Sequence, residues 1–332
     1  MSGPHGWIIL DKPRGLGSTQ AVAAVKRNLR QAGYGKVKVG HGGTLDPLAE
    51  GVLPIALGEA TKLCGRMLDA NKAYEFTISF GEETDTLDTE GQVIARSDRR
   101  PPLAAVFAIL DHFTGAIDQV PPAYSALKVD GRRAYEMARA GEEVELKTRQ
   151  VTIHTLVPLP RDGGAGEDLW TSDSLPASAF ATTAGRPDPY DPAAPLELAE
   201  TVTLLTKVSK GTYIRSLARD IAHALGTVGY VTYLRRVKAG PFDQSQAISL
   251  DKLNAIGQGA PLEDVILPLE AGLDDIPALT LSPDSAQAVR QGRVLSGMPQ
   301  EDGLYWARCG DVPVALVELS GGDARVVRGF NL

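Results

Sequence analysis

Apolar positions along the chain recur at every second residue in some segments and at every third or fourth in others, which predicts strands and helices respectively. These segments follow one another without the regular strand–helix–strand order of a parallel sheet, so the sequence predicts an α+β fold. The predicted strands lie at 7–10, 36–40, 73–81, 150–157, 201–211 and 229–240. The predicted helices lie at 19–31, from 59 onward, and at 102–113, 132–140 and 212–226.

Two of the predicted helices have clear local signals. Ser18 stands directly before the first helix and is expected to cap it, because a serine hydroxyl accepts a hydrogen bond from the unpaired N–H groups of the first turn. Gly33 is expected to end this helix. The apolar face of the first helix consists of Val22, Val25 and Leu29, and that of the helix at 212–226 consists of Ile214, Leu217, Ile221 and Leu225.

The composition changes along the chain and predicts a domain division. The chain has 332 residues, 43% of them hydrophobic, which is sufficient for one large domain and a smaller one. Residues 160–200 are rich in Gly, Pro, Ala and acidic residues and lack apolar periodicity, so we expect a mobile surface insertion there. From residue 276 a short helix and several short strands predict a small, mostly β domain. We therefore predict one domain over 1–274 and another over 275–332.

Cysteine and histidine spacing does not indicate a metal site. Cys64 and Cys309 lie far apart without CxxC spacing, and none of the five histidines stands in an HExxH or HxH pattern. No cofactor or metal is therefore expected. The opening residues lack the pattern of a signal peptide and no segment is apolar enough to span a membrane, so we expect a cytoplasmic protein.

The formal net charge of −7 taken alone argues against an anionic partner, but the charge is unevenly distributed. Residues 1–70 carry nine basic against five acidic groups, and residues 207–238 carry seven against one. Residues 161–200 carry eight acidic against two basic groups. Charged runs are more often solvated surfaces than binding sites, yet two segments are basic enough to bind an anion such as RNA.

The run GHGGTLDPLAEGVLPIALGEATKL at 40–63 contains one candidate for chemistry, Asp46. A residue before proline is held in an extended conformation, and Gly42 and Gly43 allow a sharp bend or the close approach of a ligand. Such a rigid, accessible loop suits a nucleophilic carboxylate. It equally suits a surface turn, which is the more common role of an isolated Asp-Pro pair.

This run resembles the signature loop of the TruB family of tRNA pseudouridine synthases, which act at uridine 55, over more than twenty consecutive residues. Further blocks agree in the same order, and the resemblance covers nearly the whole chain except 160–200. The blocks are LDKPRGLGS, KAYEF, GEETDTLDTEG, QVPPAYSALKVDGRRAYEMARAG, SKGTYIRSLARDIAHALG and YLRRVKAG.

The resemblance implies a pseudouridine synthase fold, with a mixed, largely antiparallel central sheet flanked by helices and loops. It also implies a PUA-like, RNA-binding C-terminal domain. The implied reaction breaks the N1–C1′ bond of a uridine in the T-arm stem-loop of tRNA, turns the base and rejoins it through C5 without a cofactor or metal. Assistance to tRNA folding is implied as well. We expect a monomer.

The resemblance also assigns roles to six residues. Asp46 is the catalytic carboxylate, which either attacks C1′ or removes a proton from C2′, and the sequence does not choose between these routes. Tyr74 stacks on the target base near C5, and Arg215 pairs with Asp46. Tyr213 and Leu234 line the uridine pocket, and His41 occupies the space left by extruded bases. Without the resemblance, Tyr74 would be read as an aromatic residue on a strand and Arg215 as an exposed arginine. Tyr213 and Leu234 would be read as core residues, and His41 as a structural histidine.

Two positions depart from the family pattern. Gly42 stands where a bulkier residue is common, and Ala73 where a basic residue is common, and both positions concern RNA contacts rather than catalysis.

Two other functions remain possible at this point. One alternative is a tRNA-binding protein without turnover. The other is a nucleosidase acting on free nucleosides, which would leave the basic segments and the C-terminal domain without a role.

Overall fold

The computed structural model describes residues 3–159 and 197–332, so most of the predicted insertion at 160–200 lies outside the described residues. Within the described ranges, no helix is long and apolar enough to cross a membrane. The chain divides into two compact units. The first comprises Met1–Pro47, Gly51–Asp69 and Ala239–Leu332, and the second comprises Leu48–Glu50 and Ala70–Lys238.

Strands and helices are interspersed along the chain, which confirms the predicted α+β class. In chain order the described strands are β1 (Gly6–Lys12), β2 (Val39–His41), β3 (Glu50–Leu57), β4 (Lys72–Phe80), β5 (Glu82–Thr84), β6 (Val93–Arg96), β7 (Gly115–Gln119), β8 (Lys128–Val129), β9 (Arg132–Arg133), β10 (Arg149–Pro158), β11 (Thr201–Val208), β12 (Gly229–Ala239), β13 (Phe242–Asp243), β14 (Ala278–Thr280), β15 (Leu295–Ser296), β16 (Gly303–Cys309), β17 (Val312–Ser320) and β18 (Asp323–Gly329). The described helices are α1 (Ser18–Gln31), α2 (Cys64–Asp69), α3 (Leu103–Ile109), α4 (Ala134–Arg139), α5 (Ile214–Ala224), α6 (Leu250–Gly257) and α7 (Pro283–Arg290). Short 3₁₀ turns lie at Gly58–Leu63, Leu110–Phe113, Gln244–Gln246, Leu262–Asp264 and Leu269–Gly272.

Strand β1 is buried in the core of the first unit. It lies antiparallel to β3, which also pairs with β2. Its apolar residues are buried on both faces, because two hydrophobic clusters lie on opposite sides of it. Trp7 and Ile9 belong to a cluster with Phe242, whereas Ile8 and Leu10 pack in the cluster that contains the buried residues of α1 and α6.

Helix α1 lies where the sequence predicts it, but the predicted cap is wrong. Gly17 occupies the N-cap position, and its N–H donates to Oε1 of Gln20 at 2.7 Å. The side chain of Ser18 is buried and its hydroxyl binds the backbone of Leu45 instead. A buried hydroxyl must find partners in the interior, so tertiary structure overrides the local capping preference here.

The C-terminal residues form a five-stranded sheet in the order β14-β16-β17-β18-β15, in which β14 and β16 are parallel and the other neighbours antiparallel. The prediction of a β-rich C-terminal portion is confirmed. Helix α7 covers the sheet, because its Ala286 and Val289 pack in one cluster with Leu279 and Val317. The side chain of Ser282 caps this helix by accepting from the N–H of Ser285 at 3.2 Å.

Strand β17 and the C-terminal end of β18 contact the rest of the first unit. Leu316 and Phe330 join the cluster around Trp7. Lys62 donates to the carbonyl of Gly329 at 2.8 Å, and the N–H of Asn331 donates to Oε2 of Glu59 at 2.7 Å. These contacts join residues on both sides of the predicted domain boundary, which stays a prediction.

The second unit is built on a sheet in the order β12-β4-β11-β10-β7. Strand β11 pairs antiparallel with β4 and with β10, and β10 pairs antiparallel with β7. Helix α5 packs with the predicted apolar face inward, since Leu217 and Ile221 are fully buried and Ile214 and Leu225 nearly so. Two small hairpins, β5–β6 and β8–β9, complete the described part of this unit.

Three features differ from the prediction. Strand β3 runs through a segment for which the sequence predicts none, and it contains Pro54 opposite Ile9 of β1. The predicted strand at 36–40 is reduced to its end, which is β2. The last residues of the predicted insertion belong to the folded unit, because Ala199 is fully buried and its N–H donates to the carbonyl of Pro101 at 2.8 Å.

Candidate active site

Asp46 lies on the loop that joins β2 to β3, in the last residues of the first unit before the chain crosses to the second. Its side chain is partly exposed, and the following Pro47 is exposed. The loop starts from a fixed point, because the N–H of Gly42 donates to the carbonyl of Pro54 at 2.8 Å. A partly exposed carboxylate on an anchored loop can meet a ligand without a large rearrangement.

The residue before Asp46 is held by a single side chain. The hydroxyl of Ser18 donates to the carbonyl of Leu45 at 2.9 Å and accepts from the N–H of the same residue at 2.8 Å. Both residues are nearly completely buried, with 5% and 4% exposure. Ser18 therefore uses its donor and its acceptor on one backbone position.

Pro47, which follows Asp46, is held by Lys12, the last residue of β1. Lys12 is fully buried, and its ammonium donates to the carbonyls of Leu16 at 2.7 Å, Pro13 at 3.0 Å and Pro47 at 3.3 Å. The N–H of Gly15 also donates to the carbonyl of Pro47, at 2.7 Å. A buried ammonium needs such oxygen acceptors, so Lys12 binds the N-terminal turn and the Asp46 loop together.

His41 and Gly42 shape the start of the loop. Nδ1 of His41 accepts from the N–H of Gly43 at 3.3 Å, which orients the ring toward its own loop. A Cβ on Gly42 would lie 2.6 Å from Cβ of Met67 and 3.5 Å from that of Pro54. The glycine that departs from the family pattern is therefore required by the packing of this chain.

Tyr74 and Leu234 lie on the neighbouring strands β4 and β12 of the second unit. Tyr74 is partly exposed, whereas Leu234 has 6% exposure. Alternate residues of a strand share a face, so Tyr74 lies on the side that carries the buried Phe76 and Ile78. The ring therefore stands at the accessible end of an apolar surface.

Tyr213 precedes helix α5 and is held at its backbone and at its ring. The buried side chain of Gln119 accepts from the N–H of Tyr213 at 2.8 Å and donates to its carbonyl at 3.1 Å. The guanidinium of Arg149 lies 4.6 Å from the centre of the tyrosine ring, within the range of a cation–π contact, and binds the carbonyl of Gly211. The helix start thus presents a fixed aromatic ring.

Arg215 is buried, with 4% exposure. It forms an ion pair with Oδ2 of Asp88 at 3.3 Å, and it donates to the carbonyl of Thr86 at 2.8 Å and to that of Tyr124 at 3.0 Å. This geometry uses the planar, forked donors of a guanidinium. The reading of an exposed helix arginine is thereby excluded, while the pairing of Arg215 with Asp46 stays a prediction.

Asp88 is the ion-pair partner of Arg215, and sequence analysis predicted no role for it. Its Oδ1 accepts from the hydroxyl of Thr86 at 2.6 Å and from the N–H of Glu90 at 2.9 Å. Leu87 between them has a positive φ of 61°, which is unfavourable for a leucine and marks a tightly determined turn. The acid-rich block GEETDTLDTEG therefore forms a rigid turn that places a buried carboxylate against Arg215.

A second charged group lies on the strand faces opposite Tyr74 and Leu234. Arg235 pairs with Oε1 of Glu50 at 3.1 Å. Burial raises the pKa of Glu75, and burial together with the neighbouring Glu50 and Glu75 raises the pKa of Tyr233 to about 12. Tyr233 is therefore neutral at physiological pH, and this group is separate from the predicted pocket.

The structure thus groups the predicted residues within each unit. His41 is the last residue of β2 and Asp46 lies on the loop that follows it, both in the first unit. Tyr213 and Arg215 share one helix start in the second unit, in which Tyr74 and Leu234 lie on adjacent strands. Among the described residues, no group of three or more His, Cys, Asp or Glu side chains has the arrangement of a metal site.

Two family models match the chain. One is described as "TruB family pseudouridylate synthase (N terminal domain)" and matches residues 27–163, and the other, "tRNA pseudouridylate synthase B C-terminal domain", matches residues 215–274. The first match includes Asp46 and Tyr74, and the second begins at Arg215 and includes Leu234.

Curated relatives match over nearly the full length. The chain is 68% identical to the tRNA pseudouridine synthase B of Novosphingobium aromaticivorans, over 98% of this chain and 97% of the relative. It is 54% identical to the tRNA pseudouridine synthase B of Zymomonas mobilis, over 98% and 96% of the two chains.

Solved structures share the fold. One is an H/ACA RNP bound to a substrate RNA containing 2′-deoxyuridine, with a TM-score of 0.66 at 23% identity, and another is a Cbf5-Nop10-Gar1 complex, with a TM-score of 0.66 at 24% identity. Each match covers 98% of this chain and 85% of the other. At such identities the likeness concerns the fold alone, and it confirms the predicted fold class.

Proposed function

The chain belongs to the TruB family of pseudouridylate synthases, and we propose that this tRNA pseudouridine synthase acts on uridine 55 in the T-loop of tRNA. The observation that carries the proposal is the Asp46 loop. It lies inside the matched family segment and presents a partly exposed carboxylate whose two neighbouring residues are fixed by hydrogen bonds. Catalysis by a single group needs such placement, because small misplacements of a reacting atom are costly.

Asp46 is the group that we assign to the bond-breaking step, as the ionised carboxylate. The N1–C1′ bond breaks with its electron pair leaving on the uracil, which is stabilised as an anion by delocalisation. Asp46 either attacks C1′ and forms an ester with the ribose, or removes the proton from C2′ and gives a glycal. The base then turns and C5 bonds to C1′, which either displaces the Asp46 carboxylate from the ester or, on the glycal route, is accompanied by return of the proton from Asp46 to C2′. The proton on C5 is lost, and N1 of the former uracil anion gains a proton.

The pocket residues are assigned to holding the uracil while it turns. The accessible ring of Tyr74 offers a stacking surface for the base near C5, and the fixed ring of Tyr213 and the apolar Leu234 line the pocket. Arg215 is assigned to stabilising the charged form of Asp46 and directing it. Its own position is set by Asp88 and by two backbone carbonyls.

The substrate is a folded RNA, which sets two further requirements. A uridine in the T-loop must be extruded before a carboxylate can reach C1′, and His41 is assigned to the space that the extruded bases leave. RNA loops are recognised mainly through shape, phosphates and splayed bases. The first unit offers exposed basic residues for phosphate contacts on α1 and in the segment between α1 and β2, namely Lys26, Arg27, Arg30, Lys36 and Lys38.

The proposal is tested with a tRNA transcript that carries tritium at C5 of its uridines, since formation of the C5–C1′ bond releases this hydrogen. We expect tritium release from the normal transcript and pseudouridine at position 55 of the product. A transcript with cytidine at position 55 should release no tritium. Addition of EDTA should leave the rate unchanged once the RNA is folded. Binding without release would support the tRNA-binding alternative, and uracil liberated from free uridine would support a nucleosidase.

A further inference from the structure

The hydroxyl of Ser18 is not used where its sequence position would place it. A serine at a helix start ordinarily caps the first turn, but here the cap is made by Gly17 and Gln20. The Ser18 side chain points into the interior, where it is 5% exposed. Its hydroxyl is therefore available for a task outside its own helix.

That task is to fix Leu45, the residue that precedes Asp46. The hydroxyl bridges the carbonyl and the N–H of Leu45 at 2.9 Å and 2.8 Å, so both of its hydrogen-bonding functions are satisfied by one residue. The peptide groups on both sides of Leu45 are thereby held. The second of these groups contains the nitrogen of Asp46, so the Cα of Asp46 is placed as well.

Ser18 is itself attached to a rigid support. Helix α1 packs Ala21, Val25 and Leu29 into the first unit, where each is at most 1% exposed. The helix start cannot move freely against this core. A hydrogen bond from such a helix transfers its position to the loop.

We propose that Ser18 is a positioning residue for the proposed reaction, which holds the Asp46 loop in the geometry that bond cleavage needs. This inference rests on the proposed function of Asp46. Removing the hydroxyl leaves a buried N–H and carbonyl of Leu45 without this partner and frees the loop to shift. A displacement of about 1 Å at a reacting group can cost about 100-fold in rate.

The test compares Ser18→Ala with Gln20→Ala, which removes the helix cap two residues away but does not contact Leu45. Single-turnover rates are measured with enzyme in excess, beside the dissociation constant for tRNA and the melting temperature. For Ser18→Ala we expect a rate about 10-fold to 100-fold lower, with tRNA affinity within about threefold of wild type. Gln20→Ala should retain the wild-type rate. Ser18→Cys keeps the size of the side chain with weaker hydrogen bonds, and its rate should lie between those of Ser18→Ala and wild type.

A second measurement does not depend on activity. Amide hydrogen exchange in a peptide that covers 43–48 should be about 10-fold faster in Ser18→Ala than in wild type, and unchanged in Gln20→Ala. Exchange and rate at wild-type levels in Ser18→Ala would overturn the inference, as would equal rate losses in Ser18→Ala and Gln20→Ala. If the wild type forms no pseudouridine, the proposed function fails, while the exchange comparison still decides whether Ser18 holds the loop.

Discussion

At the scale of single residues, the candidate site consists of reactive groups and of the groups that hold them. Asp46 is placed by restraints on Leu45 before it and on Pro47 after it. The proline was evident in the sequence, and it predicted a fixed backbone. The contacts of Ser18 and Lys12 were not predictable, because they join residues about thirty positions apart and depend on the folded structure.

Arg215 provides the residue-scale prediction. Arg215→Lys keeps the positive charge, but a single ammonium cannot bind Asp88 and the carbonyls of Thr86 and Tyr124 with the geometry of a guanidinium. We expect the rate of pseudouridine formation to fall by about 10-fold to 100-fold. Lysine is preferable to methionine here, since removing one partner of a buried ion pair costs about 3–5 kcal/mol of folding stability.

Arg219→Lys is the matched control for Arg215→Lys, because Arg219 lies one turn further along α5 and is more exposed in its pair with Asp220. Its rate should remain within about twofold of wild type, because this pair is partly exposed and such pairs contribute little. A wild-type rate in Arg215→Lys, measured by tritium release, would show that the forked geometry is unimportant.

Asp88, the ion-pair partner of Arg215, could not be identified from the sequence. The block GEETDTLDTEG was evident as an acidic turn, but nothing local distinguishes Asp88 from Asp85 or Glu90. The distinction comes from the positive φ of Leu87, which turns the chain so that Asp88 faces the arginine. The burial of Arg215, which makes a carboxylate partner necessary, is evident only in the folded structure.

At the scale of elements, a strong periodicity of apolar residues predicted the structure correctly, whereas a segment that combines apolar residues with Gly and Pro was not predicted. Helix α5 was predicted with its buried face, because four apolar residues recur at helical spacing. Strand β3 was missed, because Gly51 and Pro54 argue against a central strand. In the structure Pro54 is buried and lies opposite Ile9 of β1, and its carbonyl accepts from the N–H of Gly42.

The segment Gly58–Leu63 gives an element-scale prediction about the C-terminal strand. Burial alone would raise the pKa of Glu59, but hydrogen bonds from Lys62 and from the N–H of Asn331 lower it below its ordinary value. Its carboxylate therefore contributes stability above the pKa of an unfolded glutamate, about 4.3, and this contribution is lost as the pH falls through the lowered pKa. Glu59→Gln should cost about 1 kcal/mol at pH 7 by urea unfolding, with the difference from wild type vanishing in acid.

Glu318→Gln is the control for that experiment, since Glu318 is exposed on β17 and carries the same change of charge. It should leave the unfolding midpoint unchanged at both pH values. A loss in Glu59→Gln that persists in acid would assign the effect to altered packing rather than to the charge of Glu59.

At the scale of the whole molecule, an acidic protein must bind an anionic substrate. The net charge of −7 conceals basic segments, of which 1–70 carries nine basic and five acidic groups. Residues 275–332 carry five basic and seven acidic groups, so the C-terminal portion is itself acidic. We therefore expect the exposed lysines and arginines at 26–38 to provide more of the phosphate contacts than the C-terminal portion.

This charge distribution predicts a steep salt dependence of tRNA binding. The logarithm of the association constant should fall with the logarithm of salt by about 0.7 to 0.9 for each phosphate neutralised. Reversing Lys36 and Lys38 to Glu should weaken binding and flatten the slope, measured by filter binding across a salt series. The same reversal at the exposed Arg290 and Arg293 should have little effect. Unchanged binding after reversal of Lys36 and Lys38 would place the RNA on another surface.

Asp46 is the residue on which the proposed chemistry depends, and Asp46→Asn is the decisive variant. The amide has nearly the same shape but cannot act as an ionised nucleophile or base. With enzyme in excess over C5-tritiated tRNA, we predict no tritium release above background, while the dissociation constant for tRNA stays within about threefold of wild type. Multiple turnovers by Asp46→Asn would contradict this role of Asp46 and assign the reaction to another group.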